Sequence, residues 1–278
     1  MSFSMDDDLR HAVPEGLVSL ERYPLLESRG RAAVVEHGRR QLAESGCAVF
    51  PGFVPPKALA AMVSDAEAAR VRAYRRDMQL PPYDRKPGPD TPSDHPLRRT
   101  SPYKMFLVAA DLLPPECAVL RLYQWDGLTE LVADVLREPV LYRAADPMLN
   151  CALTYMAEGD QHGWHFDDND FVVSLLLQSA ESGGDFEFAP RIRDGTDENY
   201  AEVAKVMDET SPRTLRLAVE AGTLMIFCGK RALHRVRPVR GARQRIIALL
   251  SYDRTPDLQF SKQVRLNTTG RTEALPHG

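Results

Sequence analysis

The sequence predicts an α+β chain, helical in its first half and an antiparallel β-sandwich or barrel in its second. Two observations predict it. Up to about Glu138, apolar residues recur at helical spacing in segments such as "GRAAVVEHGRRQLAESG" (30–46) and "LTELVADVLRE" (128–138). Beyond Glu138 the chain breaks into short runs rich in branched and aromatic residues, separated by Asp-Pro, Gly-Asp, Gly-Gly and Ala-Gly turn signals. Such close spacing leaves no room for the crossover helices of βαβ units and points to an antiparallel architecture.

Each element follows from its own residues. The segment 30–46 is amphipathic and stops at Gly46, a helix-ending signal. "CAVFPGFV" (47–54) reads as a short strand. "PPKALAAMVSDAEAARVRAYRRDM" (55–78) opens on proline and is rich in Ala, Leu and Arg, which predicts one helix through Met78. Prolines 81, 82, 87, 89, 92, 96 and 102 make the next stretch an extended loop, either a cover over a site or a surface connector. The strand candidates are "PVLYRA", "LNCALTYM", "DFVVSLLLQ", "GDFEFAP", "TLRLAV", "TLMIF", "LHRVRPV" and "RIIALLSYD", with a helical insert near "ENYAEVAKVMDE". One domain is expected. In it, helices, a lead-in strand and the Pro-rich loop (1–140) support a β core (141–255), and a tail (256–278) is placed to cover a site.

Bulk properties narrow the function classes. A chain of 278 residues with 44% hydrophobic content can bury one sizeable core. A net charge of −4 gives no reason to expect a nucleic-acid or membrane partner. The longest apolar runs are too short to span a bilayer. The acidic start "MSFSMDDDLR" lacks the features of a signal peptide, so a cytoplasmic location is expected. Cys47, Cys117, Cys151 and Cys228 form no CxxC pair and read as buried free thiols.

The chemistry gathers around "HGWHFDDND" (162–170). On extended backbone, residues two apart face the same side, so His165 and Asp167 can meet one ion. The third ligand must come from elsewhere. Of the other histidines (11, 37, 95, 162, 234 and 277), only His234 opens another strand-like stretch of the second half. Two His and one carboxylate form the facial triad of non-haem Fe(II) oxygenases, with positions left open for co-substrate and oxygen. "RVRPVRGARQR" (235–245) adds arginines on both sides of a turn at Gly241. Arg245 leads into the apolar run "IIALL", so it begins a buried strand and needs an anionic partner. Arg243 has the same strand parity and is the rival for that role.

Together these segments resemble the Fe(II)/2-oxoglutarate-dependent oxygenases of double-stranded β-helix (jelly-roll, cupin-like) fold. The resemblance rests on "HFD", "SGGDFEF", "AGTLMIF", "LHRV" and the Arg that opens the last core strand, with "ESGCAVFPGFVPPKALAAM" as the lead-in. It implies that His165, Asp167 and His234 bind iron, that Arg245 pairs with the distal carboxylate of 2-oxoglutarate, and that Tyr155 hydrogen-bonds the co-substrate. Relatives often carry Ser or Thr two residues after that Arg, where this chain has Ile247. "HGWHFDDNDFVVSLLLQ" followed by "GGDFEF" is more closely similar to bacterial enzymes acting on free basic amino acids, the lysine halogenases and their hydroxylase cousins. Halogenases there have Gly at the position of Asp167, so the resemblance implies hydroxylation, with O2 and 2-oxoglutarate consumed and succinate and CO2 released. His162 and Asp168 match that subgroup's substrate contacts. The alternatives are an oxygenase of the same fold acting on a protein side chain or a nucleic acid, and a metal-binding β-barrel without catalytic activity.

Overall fold

A computed structural model describes residues 14–168 and 171–276. The first helix, α1 (Ser28–Ser45), ends where Gly46 turns into the left-handed region at φ 80°. β1 (Cys47–Phe50) and α2 (Pro56–Ala69) follow. The single helix expected through Met78 is not formed. After α2 and one 3-10 turn, Tyr74–Leu80 is strand β2, paired along its whole length with β3 (Ser101–Val108). Alternating burial of β3 between β2 and its other neighbours overrides the helical propensity of "RVRAYRR". The Pro-rich connection 81–100 carries no helix or strand. Next come α3 (Ala118–Gln124) and α4 (Asp126–Leu136).

The β-rich half holds β4 (Tyr142–Arg143), β5 (Cys151–Met156), β6 (Gln161–His165), β7 (Phe171–Gln178), β8 (Ser182–Gly183) and β9 (Phe186–Ala189). After α5 (Tyr200–Met207) come β10 (Leu215–Leu217), β11 (Leu224–Phe227), β12 (Leu233–Val236), β13 (Val239–Arg240), β14 (Arg245–Asp253) and the closing helix α6 (Lys262–Thr269). The main sheet runs β1-β11-β7-β14-β5-β3-β6-β12-β9-β10. It curls because β3 pairs at one end with β5 and at the other with β6. This is the double-stranded β-helix expected from the sequence.

Strand alternation decides what each face does. On β14, Ile246, Ala248, Leu250 and Tyr252 join the large core under the helices, with Leu153, Val173, Leu175, Leu128 and Met62. Each fully buried Leu, Ile, Val or Met side chain of that core contributes about 1.5–3 kcal/mol. The alternate residues Arg245, Ile247, Leu249 and Ser251 face an internal cavity instead. One sheet face therefore supplies stability, and the other is free to bind.

Candidate metal centre and its cavity

His165 ends β6 and His234 lies in β12, directly opposite it across the ladder. Their rings tilt together with centroids 4.0 Å apart. His165 Nδ1 donates to the Gly163 carbonyl at 2.8 Å, and His234 Nδ1 donates to the Ala232 carbonyl at 2.8 Å. A carbonyl only accepts, so the protons sit on Nδ1 and both Nε2 lone pairs point inward, as metal-binding imidazoles require. Asp167 Oδ1 lies 3.7 Å from His165 Nε2 and 3.4 Å from His234 Nε2. Its other oxygen, Oδ2, is buried without a hydrogen-bond partner. One donor atom from each of the three residues falls within 4.8 Å of the others, the only such group of three among the described residues. The donor set, the proton placement and the orphaned carboxylate oxygen all fit a divalent transition metal.

The electrostatics agree. Burial, with the charge of neighbouring histidines, holds the His165 pKa well below the usual imidazole range. Burial would raise the Asp167 carboxyl, but the two imidazoles beside it bring it below its ordinary value. A neutral His165 and an ionised Asp167 are in the states that bind metal.

His162 reaches this centre through a backbone irregularity. Residues three apart in a regular strand face opposite sides. Between the pairs His234–His165 and Val236–His162, β6 carries one residue more than β12. This bulge turns His162 to the same side as His165, where the rings stack at 3.8 Å. Tyr103 meets His162 edge-on at 4.8 Å.

The cavity in front of the triad has a volume of about 330 Å³. Arg245 lines it and is buried, with Nη1 lacking any hydrogen-bond partner. Burial pushes its pKa down to about 10, with only Asp185 opposing. Thr154 Oγ1 and Ser174 Oγ, on strands β5 and β7 that flank β14, face the same cavity and are likewise buried without partners. Arg243 lies outside, its guanidinium donating to the Ser179 and Ala180 carbonyls.

Tyr155 does not reach this cavity. It sits on the opposite face of β5, where its hydroxyl donates to the Ala66 carbonyl of α2 at 2.7 Å. Its neighbours Thr154 and Met156 are the cavity residues. Asp168 stands at the rim together with Asp84 of the Pro-rich loop. Burial and the negative charges of Asp84 and Asp167 raise its pKa. Asp170 lies outside the described residues.

Several lining residues went unread in the sequence. Arg76 of β2 is buried in the cavity wall, where Nε donates to the Asn267 carbonyl at 3.1 Å. Burial lowers its pKa, and no carboxylate pairs with it among the described residues. Phe260, Gln263, Val264, Asn267 and Thr268, in and beside α6, complete that wall. Tyr83 fixes the Pro-rich loop at the mouth: its hydroxyl donates to the Glu198 carbonyl at 3.2 Å and its ring packs on Phe166. The other arginines of the segment 235–243 are already engaged. Arg235 and Arg237 share Glu187 and Glu209, and Arg240 meets Glu158.

Compared with known protein families, the sequence matches Halogenase D over residues 31–270. The chain belongs to the Halogenase D family. No curated protein matches this chain by sequence. Solved structures share its fold. The 2-oxoglutarate-dependent epimerase SnoN of nogalamycin biosynthesis aligns with TM-score 0.57 at 13% identity, over 80% of this chain and 81% of its own. AviO1 from Streptomyces viridochromogenes Tue57 aligns with TM-score 0.53 at 20% identity, over 82% and 97%. A 2OG-Fe(II) oxygenase family protein from Burkholderia pseudomallei aligns with TM-score 0.51 at 17% identity, over 80% and 92%. The chain is thus an enzyme with the 2-oxoglutarate/Fe(II) oxygenase fold, and its His-Asp-His group has the donor atoms to hold a metal ion.

Proposed function

We propose that this enzyme is an Fe(II)- and 2-oxoglutarate-dependent hydroxylase of a free amino acid, with lysine or another basic amino acid as the first candidate. One observation carries the reading. A His-Asp-His triad opens onto a small cavity whose wall holds two buried guanidiniums, Arg245 and Arg76, neither of which is paired with a carboxylate among the described residues. Buried unpaired charges are costly, so each is kept for an anion that arrives from solution. Two carboxylates are then expected, one on the co-substrate and one on the substrate. SnoN has been crystallised with Fe3+ and alpha ketoglutarate, which supports assigning the triad and Arg245 to the same pair here.

His165, Asp167 and His234 would hold iron, which supplies oxygen activation when bound. The chain's own residues do the rest. Arg245, helped by the unpartnered hydroxyls of Thr154 and Ser174, holds the distal carboxylate of 2-oxoglutarate. Arg76 holds the substrate carboxylate. Asp168 and Asp84 at the rim attract a side-chain ammonium, so the aliphatic chain between the two charged ends lies across the triad. His162 stays neutral, because burial and the nearby Arg76 charge lower its pKa, and it presents a flat wall to the substrate. The Pro-rich loop and α6 exclude water from the cavity. Asp167 occupies the ligand position a halide would need, which favours oxygen insertion although the family is named for halogenation.

The decisive experiment incubates Fe(II)-loaded enzyme with 2-oxoglutarate, O2 and each free amino acid in chloride buffer. The expected result is succinate release stimulated by a basic amino acid, with a product that has gained one oxygen atom. A chlorinated product would sink the hydroxylase assignment. Silence toward every basic amino acid would remove the substrate and leave the iron and 2-oxoglutarate reading standing.

A further inference from the structure

Gly229 sits in the turn Cys228–Arg231 between β11 and β12, the same connection that leads to His234. The turn is closed by the Arg231 and Ala232 amides, which both donate to the Cys228 carbonyl at 3.1 Å. Nothing in its backbone requires glycine, because Gly229 is absent from the positive-φ residues. The demand comes from space. A Cβ placed on Gly229 would overlap Asp167 Oδ2, lie 2.5 Å from its Cγ and 3.1 Å from its Cβ. The Gly229 carbonyl also accepts a hydrogen bond from the Asp167 amide at 3.2 Å. One residue therefore holds Asp167 at both ends, by a backbone hydrogen bond and by the bare Cα on which the carboxylate rests.

The consequence is orientation. Asp167 Oδ1 faces the two Nε2 atoms, while Oδ2 is turned onto Gly229, buried and without a hydrogen-bond partner. A carboxylate free to swing could turn both oxygens toward the ion and take a coordination position that the co-substrate or O2 needs. It could also leave the ion altogether.

We propose that Gly229 is a positioning residue that seats Asp167 as a one-oxygen metal ligand, so that the residue at 229 and the carboxylate at 167 are sterically coupled. A side chain at 229 is compatible with the turn but not with this carboxylate. The inference rests on reading the triad as the metal site, and it goes beyond that reading by naming a residue that touches neither metal nor substrate.

The test compares wild type, Gly229→Ala, Asp167→Gly and the double variant, with two readouts independent of turnover. The first is anaerobic titration with Fe(II), with Co(II) as a spectroscopic stand-in whose visible bands report the ligand geometry. Removing a group that orients a metal ligand typically weakens metal binding about 10- to 100-fold, and Gly229→Ala should show a loss of that size with altered Co(II) bands. The second is thermal melting of the metal-free proteins. The alanine should lower the melting temperature in the Asp167 background and leave it unchanged in the Asp167→Gly background, because the clash is gone. Equal melting losses in both backgrounds would show that the glycine serves the turn alone and would overturn the proposal. So would a Gly229→Ala protein that binds metal like wild type with unchanged Co(II) bands. If wild type takes up no metal, the reading of the triad fails first, and this inference fails with it.

Discussion

Replacing Arg245 by Gln separates the two things a buried, unpaired guanidinium does. In the ligand-free protein it is a liability. Burial holds it at about 10 rather than above 12, which corresponds to a cost on the order of 3 kcal/mol. The sign follows from its being a base with a depressed pKa. The folded state disfavours the charged form, so the cost is fully present at neutral pH and fades only as pH rises past about 10. With 2-oxoglutarate bound, the same charge gains a carboxylate, and a charged hydrogen bond of this kind is worth about 1.5–3 kcal/mol. Arg245→Gln should therefore weaken 2-oxoglutarate binding roughly ten- to hundred-fold, at 1.4 kcal/mol per tenfold. It should leave the ligand-free protein as stable as wild type or more so. Calorimetric titration of 2-oxoglutarate into the anaerobic metal-loaded enzyme, beside thermal melts without ligand, reads both effects. The reasoning is refuted if affinity holds within about twofold, or if Arg243→Gln produces the loss instead.

His234→Ala should abolish metal uptake and activity while leaving the far-UV circular dichroism of the barrel unchanged; full turnover in that variant would remove His234 from the triad. Arg76→Leu and Asp168→Ala should each raise the KM for lysine by tenfold or more, as expected for loss of a charged hydrogen bond, with the 2-oxoglutarate Kd little changed; parallel losses for both ligands would argue for a collapsed cavity. Asp146 accepts from the Met148, Leu149 and Phe260 amides and from Arg265 Nε, and so ties the tail to the barrel. Asp146→Ala strands a buried arginine, at about 3–5 kcal/mol, and limited proteolysis should then cut near residue 260; a tail as resistant as in wild type would show that other contacts hold it.

How far the sequence could be read depended on whether the signal was local. The strands of the second half announced themselves because each is a compact apolar run between turn residues. The triad was legible because His165 and Asp167 are neighbours on extended backbone and few other histidines compete. β2 is hidden because its Arg- and Ala-rich surroundings carry helix propensity that only pairing across the Pro-rich loop overrides, and β3 because it directly follows that proline run. Arg76 was lost with them. α6 was missed because its polar sequence buries only Arg265 and Thr269. The face of Tyr155 is not legible in the sequence, because every residue of β5 is buried and no alternation marks which side meets the cavity. The bulge that brings His162 beside His165 leaves no mark in the sequence.

The placement of β14 bears on how the chain reaches this structure. The last strand of the barrel lies at its centre, paired with β7 on one side and β5 on the other. Until residues 245–253 have been synthesised, β5 and β7 each present an unsatisfied edge, and no earlier segment fills the gap. Such late, long-range closure slows folding and leaves nascent chains exposed to aggregation. It also means that the strand completing the hydrogen-bonded wall is the one that carries Arg245. Fragments ending before it lack both a sealed barrel and the anchoring guanidinium, so a ribosome-stalled or proteolysed product cannot retain a competent pocket.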